Sequence, residues 1–412
     1  MNSPSARQAP YLYRQLNIAP VVAGYFCITN VRFLAKGEPL TMFRLKTIMV
    51  VALVATLLLF SSLLTPGLAD GGANHQRRNQ HFGVSGGNVN DRSNAFCCSG
   101  TLGALITDGS TQYILSNNHV LARSDQAVVG EDVSQPGMID NGCRVATLVG
   151  DFTGAAPLGS NVDAAVATLR SGTMDSTGFI EDIGVPSSSI VNPSVGLSVA
   201  KSGRTTGFTT GTVSSINTSV NVQYQRGCGG GKKFTVSYSN QVIINSSTFS
   251  AGGDSGSLIV TNNASHNPVA LLYAGSSTST IGNPIGEVLT KLGTALGRTF
   301  SFGGGGGGGA ASTTSKGHQA GERQPFIPGL ERLMPQLPQQ AVDHASAVLE
   351  VHRANLMFQP GVMGAGIGAG RTDGEAAIVI YVNKDAGERP ILPTDIEGIP
   401  VLVILTDQFI AF

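Results

Sequence analysis

Three polar residues, far apart in the chain, carry the chemistry that can be read from this sequence. Ser255 lies in Ala251-Gly252-Gly253-Asp254-Ser255-Gly256-Ser257, and the apolar run Leu258-Ile259-Val260 follows at once. That run reads as a buried strand. The glycines let the backbone turn tightly beside the serine. Main-chain N–H groups in such a turn can point at one spot, as stabilisation of an oxyanion requires. A serine nucleophile also needs a general base, and the base needs an orienting carboxylate. His119 follows the strand-like run Tyr113-Ile114-Leu115, and Asp163 opens the apolar run that begins at Ala164. The separations are 44 and 92 residues. Gly-Asp-Ser-Gly alone reads equally well as a turn between strands, and a single histidine before a valine is ordinarily structural. The three together, in this order, point to acyl transfer.

The order His, Asp, Ser is that of the chymotrypsin clan. A fourth segment narrows the resemblance. Ala200-Lys201-Ser202-Gly203-Arg204-Thr205-Thr206-Gly207 resembles a segment of α-lytic protease and the streptogrisins, bacterial secreted members of that clan. In them a disulfide joins two cysteines whose positions are Ala200 and Thr210 here. Leu115-Ser116-Asn117-Asn118-His119-Val120-Leu121-Ala122 and Leu271-Leu272-Tyr273-Ala274-Gly275-Ser276 look closest to a bacterial trypsin-like group that also resembles the plant narrow-leaf type of serine protease. The resemblance covers about residues 95–300. It implies a mainly β fold, two six-stranded β-barrels with the site between them, and a C-terminal helix packing back.

The roles of that clan's triad carry over by position. Ser255 attacks the scissile carbonyl, His119 accepts and returns the proton, and Asp163 holds the imidazole. The N–H groups of Gly253 and Ser255 form the oxyanion hole. Lys201 pairs with Asp254 and orders that turn. The substrate pocket falls to Phe249, six residues before the serine, and to the wall Tyr273-Ala274-Gly275. No carboxylate stands there, so small or medium apolar side chains are expected in preference to Lys or Arg. The stretch Leu272-Tyr273-Ala274 offers no serine to support Asp163.

Such a site needs rigid strands to hold it. The chain has 54 glycines and no tryptophan, which fits a β-rich secreted protein with many tight turns. Asp108-Gly109 marks a hairpin that delivers His119 at its end. Short strands are expected at 101–106, 112–115, 145–149, 164–169, 179–183, 197–200, 212–216, 220–224, 234–238, 241–244, 257–260 and 269–273. Residues 125–140 read as surface loop around Ser134-Gln135-Pro136-Gly137. Asn283 then caps a helix whose first position is Pro284, with Ile285, Val288, Leu289, Leu292 and Leu296 along one face.

Residues 1–69 read as an N-terminal extension and a secretory signal peptide, with a basic head from Met42 and small residues before Asp70. The alternative is an uncleaved signal anchor, since the apolar run is near the lower limit for spanning a bilayer. Residues 70–94 read as a disordered or pro-segment, 95–302 as the protease domain, and 303–325 as a Gly-rich linker. Residues 326–412 read as a small α+β module with a helix over 339–356 and strands at 362–369, 377–382 and 399–405. The module resembles one found beside such protease domains in other bacterial proteins, and it contains no convincing catalytic set. Cys97, Cys98, Cys143 and Cys228 remain after signal cleavage. A bridge between the neighbours Cys97 and Cys98 would be strained, so each pairs with Cys143 or Cys228, in either order.

The net charge is zero and only 13% of residues are charged, which argues against nucleic acid or a strongly charged partner. No metal site and no cofactor is expected. The partner is a polypeptide substrate, the location extracellular or periplasmic, and no stable membrane association remains after signal cleavage. The resulting expectation is a secreted serine endopeptidase. The alternative is an inactive or weak protease-like domain that acts as a binding module.

Overall fold

The computed structural model describes residues 75–303 and 336–412. The expected signal peptide, and the linker beyond Gly303, lie outside the described residues. Among the described residues, no helix is long and apolar enough to cross a membrane. The architecture is mainly β: two curled antiparallel sheets, with a small α+β region joined to the second.

The first sheet is built from β1 (Val84–Asn88), β2 (Gly100–Leu102), β3 (Ala104–Thr107), β4 (Gln112–Ser116), β5 (Asp132–Gln135), β6 (Thr147–Ala156) and β7 (Ala164–Leu169). A one-turn helix α1 (Asn118–Leu121) follows β4. Two strands arise where none was expected. The Gly/Asn-rich stretch assigned to a pro-segment supplies β1, every residue of which is buried. Glycine there serves packing: a Cβ at Gly86 would meet Leu102 at 2.3 Å. Within the expected loop 125–140, β5 pairs with both β1 and β6.

The second sheet takes β8 (Ser198–Gly203), β9 (Gly207–Thr212), β10 (Ser215–Gln225), β11 (Lys233–Asn245), β12 (Leu258–Thr261), β13 (Pro268–Gly275) and β14 (Ser279–Pro284). It departs from a plain six-stranded barrel. The four short strands expected between 212 and 244 merge into the long hairpin β10–β11, 11 and 13 residues. Asn217 and Asn240, at φ 49° and 58°, fall in the gaps between the expected strands. They are absorbed inside the strands, and β10 takes two register shifts near Asn217. Residues 179–183 form turns held by an isolated bridge between Ile180 and Phe82, not a strand.

Helix α2 (Ile285–Leu296) packs back as expected, but Pro284 is its N-cap, not its first helical residue. Asn283 stays in β14 and uses its side chain elsewhere. Strand β15 (Ser301–Phe302) then closes onto β3. Cys97 bonds Cys143 and Cys98 bonds Cys228. The second bridge ties the N-terminal side of the first sheet to the tip of the β10–β11 hairpin. Ala200 and Thr210 face each other across β8–β9, so the expected vestige of a disulfide is a direct cross-strand pair.

The C-terminal region contains α3 (Gln339–Met357), β16 (Val362–Ala369), β17 (Ala376–Asn383), β18 (Asp395–Ile396), β19 (Ile399–Thr406) and β20 (Ile410–Ala411). Val342, Ala345, Leu349 and Leu356 of α3 pack on this sheet, as their spacing predicts. The sheet does not stand apart. β16 adds antiparallel to β10, so one sheet runs from β19 through β17, β16 and β10 into the second barrel. Tyr381 Oη and Ser215 Oγ lie 2.9 Å apart across this seam, and Arg353 donates to Ser219 Oγ at 2.7 Å.

Candidate active site

His119 sits in α1, directly after β4, and Asp163 directly before β7. β4 and β7 pair from Tyr113 to Ser116, which brings both residues to one end of the first sheet. His119 Nδ1 lies 2.6 Å from Asp163 Oδ2, and the His119 N–H donates to Asp163 Oδ1 at 3.1 Å. Asp163 is fully buried, and the His119 side chain is 12% exposed. The Asp163 N–H donates to Asn283 Oδ1 at 2.9 Å. Burial draws the imidazole pKa down. The Asp163 charge and hydrogen bond, with an acceptor at Nε2, outweigh it and carry the pKa above the ordinary histidine value.

The missing support for Asp163 comes from an unexpected place. Tyr224, on β10, donates to Asp163 Oδ2 at 2.7 Å and lies 2.6 Å from Tyr238 Oη. Burial first, then the Asp163 charge, hold the Tyr224 phenol well above its usual pKa. It therefore stays protonated and donates. A signal was available: Val220, Val222 and Tyr224 alternate onto the buried face of β10. Tyr273 stands where a serine was sought. Its hydroxyl is buried with no hydrogen-bond partner among the described residues.

Ser255 lies in the turn before β12. Gly253 and Gly256 take φ of 99° and 95°, and a Cβ on Gly256 would come within 2.2 Å of Thr101 O. Only glycine serves there. Among the described residues, the N–H groups of Gly253 and Ser255 have no main-chain acceptor. Asp254 anchors the turn: its Oδ1 accepts from the N–H groups of Thr205 and Thr206 at 2.8 and 3.2 Å, and its Oδ2 from Ala251 at 3.0 Å. Lys201 Nζ lies 3.4 Å from Asp254 Oδ2, with both side chains fully buried. Burial lowers the Lys201 pKa, and the Asp254 charge opposes this. Asp140, which sequence reasoning passed over, accepts two bonds of 2.6 Å from Arg204 and so braces the same loop.

Phe249 is fully buried in the core of the second sheet. Tyr273, Ala274 and Gly275 form the end of β13 and are buried too. A cleft of about 510 Å³ opens beside His119, lined among others by Asp91, Ser99, Arg123, Arg204, Gly253 and Phe412. Ser255 Oγ does not bond to His119. It donates to Tyr273 O at 3.2 Å, while His119 Nε2 lies 3.0 Å from Phe412 O.

No family model and no curated protein matches the chain. Among solved structures it is similar to a glutamic-acid-specific serine protease, at 23% identity and TM-score 0.38, over 54% of this chain and 98% of that one. It is also similar to Thermobifida fusca Protease A (19%, 0.36, 54% and 99%) and Nocardiopsis Protease (16%, 0.37, 55% and 99%). These are bacterial serine proteases of the chymotrypsin-like fold. The two curled antiparallel sheets of this chain have the chymotrypsin-like fold, with His119 and Asp163 on the first and Ser255 on the second.

Proposed function

We propose that the chain is a secreted serine endopeptidase. The observation that carries the reading is the buried Asp163–His119 pair at 2.6 Å, set across the sheet junction from the Gly253-Asp254-Ser255 turn. In the proposed reaction Ser255 Oγ swings from Tyr273 O to His119 Nε2 and attacks the scissile carbonyl. Nε2 takes the hydroxyl proton, and the N–H groups of Gly253 and Ser255 bind the oxyanion. Nε2 then gives that proton to the leaving amine, and the peptide's acyl half stays as an ester on Ser255. Water, deprotonated by His119, cleaves the ester and restores Ser255. Asp163, held by Tyr224, fixes the Nδ1–H tautomer throughout. The two disulfides and the bacterial relatives fit export. The experiment is prolonged incubation with a fluorophosphonate probe. Labelling of the wild type that is lost in Ser255→Ala supports the reading, and a folded wild type that never reacts overturns it.

The second reading is a binding module without turnover. Ser255 and His119 each using another partner, not one another, is the observation that favours it.

A further inference from the structure

Residues 410–412 run as an extended segment beside His119, and Ala411 and Phe412 form part of the wall of the open cleft. β20 enters between β10 and β13. It pairs antiparallel with β13, Ala411 opposite Ala274 and Ile410 opposite Gly275, and parallel with β10 at Gln223. The Phe412 N–H reaches Tyr273 O at 3.4 Å, the same oxygen that accepts from Ser255 Oγ at 3.2 Å. A shared acceptor puts the Phe412 main chain beside the nucleophile. The Phe412 carbonyl oxygen meets His119 Nε2 at 3.0 Å. The Phe412 ring packs on the cluster that contains Phe249, and a Cβ on Gly275 would come within 2.6 Å of it. With the segment seated, Ser255 is wholly buried.

The approach is also built. Thr406 Oγ1 sits 2.6 Å from Ser276 Oγ and 2.8 Å from Thr278 Oγ1. The Ser277 N–H donates to Asp407 at 3.3 Å. Phe409 is fully buried against Tyr381, and its carbonyl accepts from the Gln223 N–H at 2.9 Å. The module is thus clamped to the second barrel on both sides of the segment's path.

We propose that residues 410–412 are a cis-acting occupant of the substrate groove, bound in the direction and register of the acyl half of a peptide, with Phe412 at the position whose carbonyl is attacked. Strand addition supplies the main-chain contacts, and the ring fills the side-chain pocket. The proposal rests on the peptidase reading. It names the substrate as an extended peptide with a large apolar residue, aromatic included, at that position. This differs from the small or medium side chain read from the sequence, because the ring of Phe412 already occupies the space beside Gly275. An incoming substrate must displace the segment, so its apparent affinity falls by the fraction of molecules with an empty groove. A tethered ligand competes at an effective concentration on the order of millimolar or more.

The test compares the full chain with a variant lacking residues 410–412 and with Phe412→Gly. We expect fluorophosphonate labelling of Ser255 to be at least about tenfold faster in both variants. The apparent KM for a peptide with Phe at the cleavage position should drop by a similar factor while kcat holds. A separate peptide ending in Ile-Ala-Phe should inhibit the deletion variant competitively. Equal labelling rates and equal KM in all three proteins would overturn cis-occupancy and leave the peptidase reading standing. If none of the folded proteins reacts, the peptidase reading fails and a fluorescent Ile-Ala-Phe peptide decides occupancy. Binding to the deletion variant but not to the full chain supports it, and binding to neither or to both overturns it. Should the deletion variant misfold, Phe412→Gly carries the same comparison.

Discussion

The two barrels treat their free edges differently. The first is completed by its own chain: β15, two residues long, closes on β3, and the sheet ends there. The second continues. Its β10 edge accepts β16, and the slot between β10 and β13 accepts β20. Exposed main-chain donors and acceptors on an edge strand invite pairing with another chain. The first barrel, which carries the His119–Asp163 pair, has little edge left to offer. The second, which carries Ser255, keeps an edge that takes extended chain, and in this molecule the chain's own module takes it. The difference separates rigid positioning of the His119–Asp163 pair from a surface made for adding strands.

The largest effects test whether both barrels serve one reaction. Ser255→Ala on the second barrel and His119→Ala on the first should each lower kcat/KM by about 10⁴-fold or more, without loss of folding seen by circular dichroism. The double variant should be no worse than either single one. Additive losses would mean that the two residues do not act as one unit.

Next in size is the brace beneath the serine turn. Lys201 and Asp254 are both fully buried, so removing one partner strands the other as a bare charge. Asp254→Ala should cost about 3–5 kcal/mol of stability, read from chemical denaturation. It should also abolish labelling of Ser255, because Thr205, Thr206 and Ala251 lose their shared acceptor. A loss under about 1 kcal/mol would show that the pair is not the anchor the geometry suggests.

Tyr224 reaches from the second barrel to the carboxylate of the first, so it joins the two regions. Tyr224→Phe keeps the ring and removes one hydrogen bond to a charged group, about 1.5–3 kcal/mol. We expect kcat to fall about 10- to 100-fold, KM to hold, and the acidic limb of the pH profile to shift. A KM change alone, with an unmoved profile, would reduce Tyr224 to a packing residue.

How much was legible follows the same division. In the first barrel β4, β7 and the positions of His119 and Asp163 could be read, because uninterrupted apolar runs end at the polar residues. What escaped were β1 and β5, whose Gly, Asn and Ser content hides buried strands. In the second barrel the serine turn was legible from a local motif, and the Lys201–Asp254 approach only through the resemblance to the α-lytic group. The long hairpin was not, since Asn217 and Asn240 look like turns when the partner strand is unknown. The cysteine pairing stayed open because it depends on where that hairpin tip lands. Strand β20 gave no signal at all: two residues carry no periodicity, and their role depends on a groove made by Tyr273, Ala274 and Gly275.

The smallest expected effect lies where the two barrels and the module meet, at His119. Its Nδ1 faces Asp163 and its Nε2 faces the Phe412 carbonyl. Two acceptors can both be satisfied only by the doubly protonated ring. Burial opposes that charge, yet the Asp163 charge and both acceptors leave the pKa raised with the segment seated. Around the ring stand Asp163, the edge-on Tyr224 ring at 6.0 Å, and Asp91, whose burial pushes its carboxyl up to about 6 against the pull of His119 and Arg123. The sign follows from linkage. A raised folded-state pKa gives a contribution fully present below the unfolded value, near ~6.5, and lost as pH climbs through the folded value. Asp91 gains its charge as pH rises through about 6, which favours the imidazolium and delays that loss but does not reverse it. Protonation and occupancy therefore reinforce each other, and the segment holds most tightly in acid. The ratio of apparent KM between the full chain and the variant lacking 410–412 should be severalfold larger near pH ~6 than near pH ~9. A ratio that is flat or grows toward alkaline pH would detach the His119–Phe412 bond from the grip on the groove and leave strand pairing with β13 to hold the segment alone.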